Sequence, residues 1–287
     1  MAAVLLSLIS IFIWSTLAVL GSRVTRLPPF LSVGIALLVG GLLGLFRVKD
    51  WKVPFSTFAI GVGGIFGYHA LLFAAFRLAP AVEVNLLQYL WPLLIVVLSP
   101  VFLQGHRLAP HHVAGSLLGL VGAGLVITGG RPSLDLANLP GYLLALCAAF
   151  AWSSYSLLTK RVRPFPTGAV GGFCLASGLL SLLCFALDSR LSGAPWPAVA
   201  MREWGILLLL GIGPMGAAFY TWDAALKRGD SRVIGALAYL TPLLSTLNLV
   251  LLGRKQLSGI SAAAMGLIIL GAGVGSLDLF RRKPSLQ

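Results

Sequence analysis

The sequence predicts an all-α integral membrane protein with ten transmembrane helices, arranged as two inverted five-helix repeats around a central cavity. Three observations predict this class: the composition, a series of separate apolar runs, and an internal repeat. Of the 287 residues, 58% are hydrophobic and 10% are charged, whereas a soluble domain carries about 25% charged residues. The mean hydropathy of +0.95 therefore excludes a soluble globular protein.

The ten apolar runs have the length of membrane-spanning helices, which need about 20 apolar residues. The links between them are short and rich in Arg, Lys, Pro and Asp, so none is long enough to form an extramembrane domain. The runs cover residues 2–21, 30–46, 54–76, 81–103, 111–129, 140–160, 167–187, 204–225, 232–252 and 260–280.

The net charge of +13 would suggest nucleic acid as a partner in a soluble protein. Here the basic residues lie in the links between apolar runs, where Lys and Arg act as topology signals. An even number of spans places both termini on one side, which carries 13 of the 21 basic residues, and the other side carries 8. The excess predicts cytoplasmic N- and C-termini. The expected partners are the lipid bilayer and a small molecule, and no nucleic acid.

Short motifs recur in the same order in the two halves of the chain. Trp14-Ser15 returns as Trp152-Ser153 after 138 residues, and Tyr89–Pro92 returns as Tyr239–Pro242 after 150 residues. Each half holds five runs, and because five is odd, the second copy must enter the membrane from the opposite side. Such inverted repeats place a site near the bilayer midplane, between the repeats. The predicted repeats are residues 1–134 and 135–287.

Three prolines within apolar runs are predicted to act as hinges. Pro92 has no N–H, so the carbonyl of Gln88 loses its helical partner, which protein or water must replace in a bilayer. Pro242 is the equivalent residue in the second half. Pro214 lies in Gly211–Gly216, a match to GxGxxG. This motif falls inside an apolar run and does not follow a strand, so it indicates a bend and not a dinucleotide site.

The sequence contains no HExxH, GxSxG, P-loop lysine or metal-spaced cluster. We therefore expect no enzyme, no cofactor and no metal site. No acidic residue lies in the first run or at the middle of any run, where a dedicated cation exporter is expected to carry one. The substrate is thus expected to be neutral or zwitterionic. A drug or other metabolite exporter, a membrane-embedded enzyme and a channel are the alternatives, and oligomeric state and proton coupling stay open.

Aromatic and polar side chains at membrane depth are the candidates for a substrate site. Indole and phenol rings supply apolar faces with a polar handle and hold an ammonium over the ring. His69 is either functional or a neutral imidazole bonded to a neighbouring helix. Glu83 and His69 are candidates for coupling or charge recognition, although Glu83 can equally pair with Arg77 or cap its helix. The predicted substrate-binding residues are Trp14, Tyr68, His69, Asn85, Tyr89, Trp91, Trp152, Tyr155 and Tyr239. Tyr220 and Trp222 rank lower because they lie nearer the membrane edge.

These features resemble the drug/metabolite transporter superfamily, EamA type, which has Trp-Ser early in each half and Tyr-x-x-Pro in each fourth helix. Residues 81–92, Ala-Val-Glu-Val-Asn-Leu-Leu-Gln-Tyr-Leu-Trp-Pro, are similar to the corresponding stretch of the YddG-like aromatic amino-acid exporters. The resemblance implies a secondary transporter that exports aromatic and other neutral amino acids across the bacterial inner membrane by alternating access.

The resemblance also points to particular residues. In those exporters an Asn precedes the Tyr-Leu-Trp-Pro element, whereas this chain has Gln88 there and Asn85 one turn earlier. This departure bears on the substrate range. The residues that carry over are Glu83, Tyr89, Trp91 and Pro92 from the exporter-like stretch, and Trp14, Trp152, Tyr239 and Pro242 from the repeat.

Overall fold

Every regular element in the described residues, 1–131, 135–252 and 259–279, of the computed structural model is helical. The α-helices are α1 (Ala2–Ser15), α2 (Leu17–Gly21), α3 (Pro29–Leu42), α4 (Phe55–Leu78), α5 (Ala81–Gln88), α6 (Trp91–Phe102), α7 (Pro110–Thr128), α8 (Leu139–Arg161), α9 (Ala169–Ser192), α10 (Met201–Ile212), α11 (Ala218–Arg228), α12 (Ser231–Ala238), α13 (Leu240–Leu251) and α14 (Gly259–Gly275). Short 3-10 helices cover Leu45–Trp51, Leu136–Asn138 and Leu277–Leu279, and a π-helix covers Gly213–Ala217.

Eight helical segments of the described chain are long and apolar enough to cross a membrane, and all eight coincide with predicted runs. Several consist of two helices in line: α1 with α2, α5 with α6, α10 with α11, and α12 with α13. A ninth candidate is α3 with the 3-10 helix that follows it, and α14 is an apolar helix of 17 residues. The sequence prediction of an all-helical membrane protein agrees with this architecture.

The second run, 30–46, differs from its prediction. Helix α3 ends at Leu42, and the 3-10 helix Leu45–Trp51 turns away from it by 88°. Three glycines lie at this end of the run, Gly40, Gly41 and Gly44, and each lowers helix stability by about 1 kcal/mol relative to alanine. The predicted helix is therefore too long at its C-terminal end.

The last run and the predicted repeat boundary reach the limits of the described chain. Helix α14 ends at Gly275, and residue 280 of the run 260–280 lies outside the described residues. The same holds for residues 132–134, at the end of the first predicted repeat, and for the last residues of the second.

Glycines bring α7 and α14 into backbone contact. A Cβ atom added to Gly271 would lie 2.6 Å from the carbonyl oxygen of Gly115, and one added to Gly115 would lie 2.6 Å from the carbonyl oxygen of Gly271. Small residues four apart permit this approach between membrane helices. Four further pairs pack together: α4 with α8, α3 with α9, α1 with α11, and α6 with α12.

Candidate functional site

Two membrane segments are broken at equivalent tyrosines. Helix α5 ends at Gln88 and α6 begins at Trp91, with Tyr89 in the break, while Tyr239 separates α12 from α13. The break places Pro92 and Pro242 in the first turn of a new helix, where the missing proline N–H has no intrahelical partner to lose.

The Tyr239 hydroxyl is inserted into the break between α5 and α6. It accepts a hydrogen bond from the Leu93 N–H at 3.2 Å and donates one to the Tyr89 carbonyl at 3.3 Å. In an uninterrupted helix these two backbone groups would bond to each other, since they are four residues apart. The insertion of a side chain between such groups is a recognised cause of a kink. Tyr239 is fully buried and packs against Gly119 of α7. Its hydroxyl therefore holds the helix break beside Tyr89.

The third predicted hinge, Pro214, lies in the π-helix between α10 and α11. Its carbonyl accepts a hydrogen bond from the indole N–H of Trp14 at 3.1 Å. π-Helical turns free backbone groups and often occur at functional sites. The irregular backbone at Pro214 thus orients the first tryptophan of the predicted site.

Four indole rings, which we call the tryptophan cluster, meet inside the helical bundle. They are Trp14 of α1, Trp91 of α6, Trp152 of α8 and Trp222 of α11. The ring centroids of Trp14 lie 6.2 Å from Trp91, 5.8 Å from Trp152 and 5.1 Å from Trp222. Trp91, Trp152 and Trp222 are only 6%, 4% and 1% exposed, so their rings lie away from any aqueous or lipid surface.

Further aromatic rings surround this cluster. Tyr68 and Tyr155 lie 5.5 and 5.4 Å from Trp152, and Phe219 lies 5.4 Å from the same ring. His69 lies 6.4 Å from Phe219. The arrangement offers edges and faces of aromatic rings, which stack on another aromatic group or surround a cation.

The polar atoms near the cluster are largely paired within the protein. The Trp222 indole N–H donates to Ser156 Oγ at 3.2 Å, and the Tyr68 hydroxyl donates to Gln88 Oε1 at 3.0 Å. His69 Nδ1 lies 2.7 Å from the Ile65 carbonyl of its own helix. A carbonyl only accepts, so Nδ1 carries the proton. His69 therefore bonds within α4, and in the described part of the chain it makes no hydrogen bond to a neighbouring helix.

Glu83 lies away from the tryptophan cluster, in a contact between α5 and α8. Its buried carboxylate accepts a hydrogen bond from the Tyr142 hydroxyl, which also accepts one from the Asp135 N–H at 3.1 Å. Arg77, the alternative partner considered for it, forms an ion pair with Asp188 at 2.9 Å. Glu83 also lies in the first turn of α5, where the helix dipole favours a negative charge. Asn85 follows it in α5 and is half buried.

The predicted site and the observed cluster differ in the rank of one indole and in two neighbouring residues. Trp222 ranked below the other indoles because it lies near the end of its run, but it is the most buried of them. The predicted site does not include Phe219 or Ser156. Phe219 lies three residues before Trp222, so both project from one face of α11. This spacing is the signal that could have identified Phe219 as a neighbour of the cluster.

The fold and site define a multi-pass helical membrane protein with an aromatic interior, and comparison with known proteins identifies its family. The model of the EamA-like transporter family matches residues 1–128 and again residues 139–276. The chain therefore belongs to the EamA-like transporter family, within the drug/metabolite transporter superfamily, which confirms the resemblance seen in the sequence.

Individual relatives agree with this assignment. The chain is 43% identical over 286 residues to an aromatic amino acid exporter, YddG, of Ancylobacter novellus, with 96% of this chain and 97% of that protein covered. It is 28% identical to the exporter of the same name from Escherichia coli, covering 85% and 86%. It is 27% identical to a Salmonella typhimurium protein named "Probable amino-acid metabolite efflux pump", covering 93% and 92%. These names describe transporters and not enzymes.

A solved structure has the same overall shape. A crystal structure with 42% sequence identity superposes with a TM-score of 0.90 and covers 96% of both chains. The helical arrangement described above is thus shared along nearly the whole chain.

Proposed function

We propose that this transporter exports aromatic and other neutral amino acids across the inner membrane by alternating access. The tryptophan cluster is the observation that carries the proposal. Its rings come from α1, α6, α8 and α11, so a substrate bound among them contacts both segments that match the family model. Relatives at 43% and 28% identity named as aromatic amino acid exporters support the substrate class.

We further propose that the chain consists of ten spans in two inverted five-helix repeats, residues 1–134 and 135–287, with cytoplasmic termini. The double match to the family model supports this division. The helix pairs support it too, because exchanging the two halves converts the α4–α8 contact into the α1–α11 contact. The same exchange leaves the α3–α9 and α7–α14 contacts unchanged, because each joins a helix to its counterpart in the other half.

In this proposal the substrate binds where the four indoles now contact one another. The ring contacts of 5.1 to 6.4 Å leave the cluster packed on itself, so binding requires the rings to separate. Motion at Pro92, Pro214 and Pro242 accomplishes this. Tyr68, His69, Asn85, Tyr89, Trp152 and Tyr155 line the opened site with Trp14 and Trp91. Tyr239 holds the helix break, and Glu83 serves charge recognition or coupling.

Counterflow in proteoliposomes tests the function. Labelled phenylalanine is added outside vesicles preloaded with unlabelled amino acid, with and without a pH gradient. Saturable accumulation of label supports an amino-acid carrier, and its dependence on the gradient decides whether protons are coupled. Absence of accumulation for every amino acid, with folded protein, would leave drug or metabolite export as the function.

Trp91→Ala tests the aromatic site within that assay. We expect counterflow of phenylalanine to fall at least about fivefold, since one aromatic contact contributes about 1 kcal/mol beyond its buried area. Trp196→Ala is the matched control, because Trp196 is 67% exposed and lies outside the cluster. Normal transport by Trp91→Ala, with correct insertion, would refute binding at the tryptophan cluster.

A further inference from the structure

A basic cavity lies at one face of the protein, and the tryptophan cluster does not account for it. The cavity has a volume of about 460 Å³ and is lined by Phe102, Leu103, Gln104, His106, Lys160 and Arg161. That volume is within the range of about 300–1,000 Å³ found for small-molecule sites. We call this cavity the basic mouth, and under the proposed topology it faces the cytoplasm.

The charges of the basic mouth are not neutralised by its own walls. Lys160 and Arg161 line it, and no carboxylate does. Lys160 is half buried and donates to the Gly229 carbonyl at 2.6 Å. It forms no ion pair among the described residues, and the neighbouring Asp230, which attracts it electrostatically, is itself paired with Arg232. Topology signals explain basic residues near a membrane face, but they do not require two cations to converge on one cavity.

His106 adds a polar group to the wall of the basic mouth. Its Nδ1 atom is buried and has no hydrogen-bond partner in the described part of the chain. Partial burial lowers the pKa of His106 below its ordinary value, so the imidazole is largely uncharged at neutral pH. Phe102 and Leu103 add apolar side chains to the lining.

A second cavity, at the end of α2, shows how the two differ. It has a volume of about 440 Å³ and is lined by residues that include Arg23, Arg26, Arg202 and Glu203. There Glu203 forms an ion pair with Arg26 at 2.6 Å. No carboxylate lines the basic mouth, and the neighbouring Asp230 is paired with Arg232. An anion from solution is therefore the counterpart left for Lys160 and Arg161.

We propose that the basic mouth binds the carboxylate of the amino acid before the substrate reaches the tryptophan cluster. This proposal rests on the proposed function. It assigns a binding site to the substrate carboxylate, which the tryptophan cluster does not recognise because none of its rings is cationic. Lys160 lies eight residues after Trp152 on α8, about 12 Å along the helix axis at 1.5 Å per residue. A carboxylate on Lys160 and Arg161 makes charge-assisted hydrogen bonds, with the side chain of the substrate against Phe102.

Uptake into inside-out membrane vesicles tests this site, because it presents the cytoplasmic face to the labelled substrate. The variant K160Q/R161Q is expected to raise the KM for phenylalanine about tenfold, because the entry cavity loses the two cations that bind the substrate carboxylate. The maximal rate should change little, because the tryptophan cluster is unaltered. R163Q is the matched control, since Arg163 is exposed, lies two residues beyond Arg161 and does not line the cavity. K160R should retain a near-normal KM.

Two further measurements distinguish the substrate carboxylate from a lipid phosphate, the other anion that could occupy the basic mouth. Phenylalaninamide, which lacks the carboxylate, should compete equally well in wild type and K160Q/R161Q. The KM values of both proteins are then compared in vesicles without anionic lipid. If the KM difference disappears there, the cavity is a lipid site and the proposal is wrong. An unchanged KM in K160Q/R161Q would also overturn it.

A chemical probe keeps this test independent of transport. Gln104→Cys, with Cys147→Ser in the background, places a thiol in the basic mouth. For this thiol, the reaction rate of an anionic methanethiosulfonate is divided by that of a cationic one. This ratio should be about tenfold higher with Lys160 and Arg161 present than in K160Q/R161Q. Phenylalanine should slow the reaction, and phenylalaninamide should not.

If wild type transports no amino acid but keeps the anion preference, the proposed function fails alone. If transport is normal and the preference is absent, the site fails alone.

Discussion

A single phenol hydroxyl connects the second half of the chain to the helix break in the first. Tyr239 bonds to both the Leu93 N–H and the Tyr89 carbonyl, which would bond to each other in an uninterrupted helix. Hydrogen bonds between membrane helices contribute about 0.6 kcal/mol on average, and up to about 1.7. Because this hydroxyl satisfies two backbone groups in a buried setting, its contribution should lie at the upper end of that range.

Tyr239→Phe should therefore lower the free energy of unfolding by about 1–2 kcal/mol, although it keeps the ring that packs against Gly119. Thermal unfolding in detergent measures the effect. Tyr155→Phe is the control, because that tyrosine is also buried but its hydroxyl makes no hydrogen bond within the described residues. Equal stability of Tyr239→Phe and wild type would mean that the two backbone groups pair again as a regular helix, and that the hydroxyl does not hold the break.

At the scale of the helix, glycine position decides which faces can meet. Gly271 and Gly273 both lie in α14, but only Gly271 faces the backbone of α7. A Cβ on Gly273 would meet no atom within 4 Å. Helix propensity favours alanine at both positions. Comparing alanine substitutions at the two positions therefore separates the effect of helix propensity from that of steric fit.

Gly271→Ala should destabilise the protein by about 1–3 kcal/mol, because the added methyl group forces the two backbones apart. Gly273→Ala should be neutral or stabilising by up to about 1 kcal/mol. Unfolding in a graded detergent mixture compares the two variants directly. If both substitutions have the same effect, α7 and α14 do not approach at Gly115 as described.

The elements that could be predicted from sequence are those that a local rule determines. Apolar length identified the membrane helices because a bilayer requires about 20 apolar residues, and Pro92 and Pro242 indicated where two of them break. Glycines near Leu42 ended α3 early, but helix propensity is a weak signal in an apolar run and the 88° turn depends on packing.

The partners across the molecule could not be predicted in the same way. The insertion of Tyr239 beside Tyr89 joins residues 150 positions apart, and the Tyr142 partner of Glu83 belongs to another helix. Depth along a run identified Trp91 and Trp152 correctly as interior residues. It placed Trp222 nearer the membrane edge, whereas the packing of α11 against α1 and α8 buries this ring.

For the whole molecule, the proposed alternating access requires the two halves to move relative to each other. Arg77 at the end of α4 and Asp188 near the end of α9 form an ion pair at 2.9 Å between the two proposed repeats. Their side chains are 59% and 50% exposed, so the pair contributes only about 0–1 kcal/mol. Such a contact is weak enough to break in every transport cycle.

Joining these two positions covalently should therefore stop transport without unfolding the protein. In Arg77→Cys/Asp188→Cys, with Cys147→Ser in the background, a short thiol-specific cross-linker is expected to reduce counterflow at least about tenfold. With a bis-methanethiosulfonate as the cross-linker, reduction should restore counterflow, because it cleaves the two disulfides that attach the reagent to the cysteines. Both native side chains are exposed, so the substitutions themselves should leave the core intact. Each single cysteine variant, treated with the same reagent, controls for simple modification. Full transport by the cross-linked protein would mean that α4 and α9 move as one body, so that the proposed opening must occur elsewhere between the repeats.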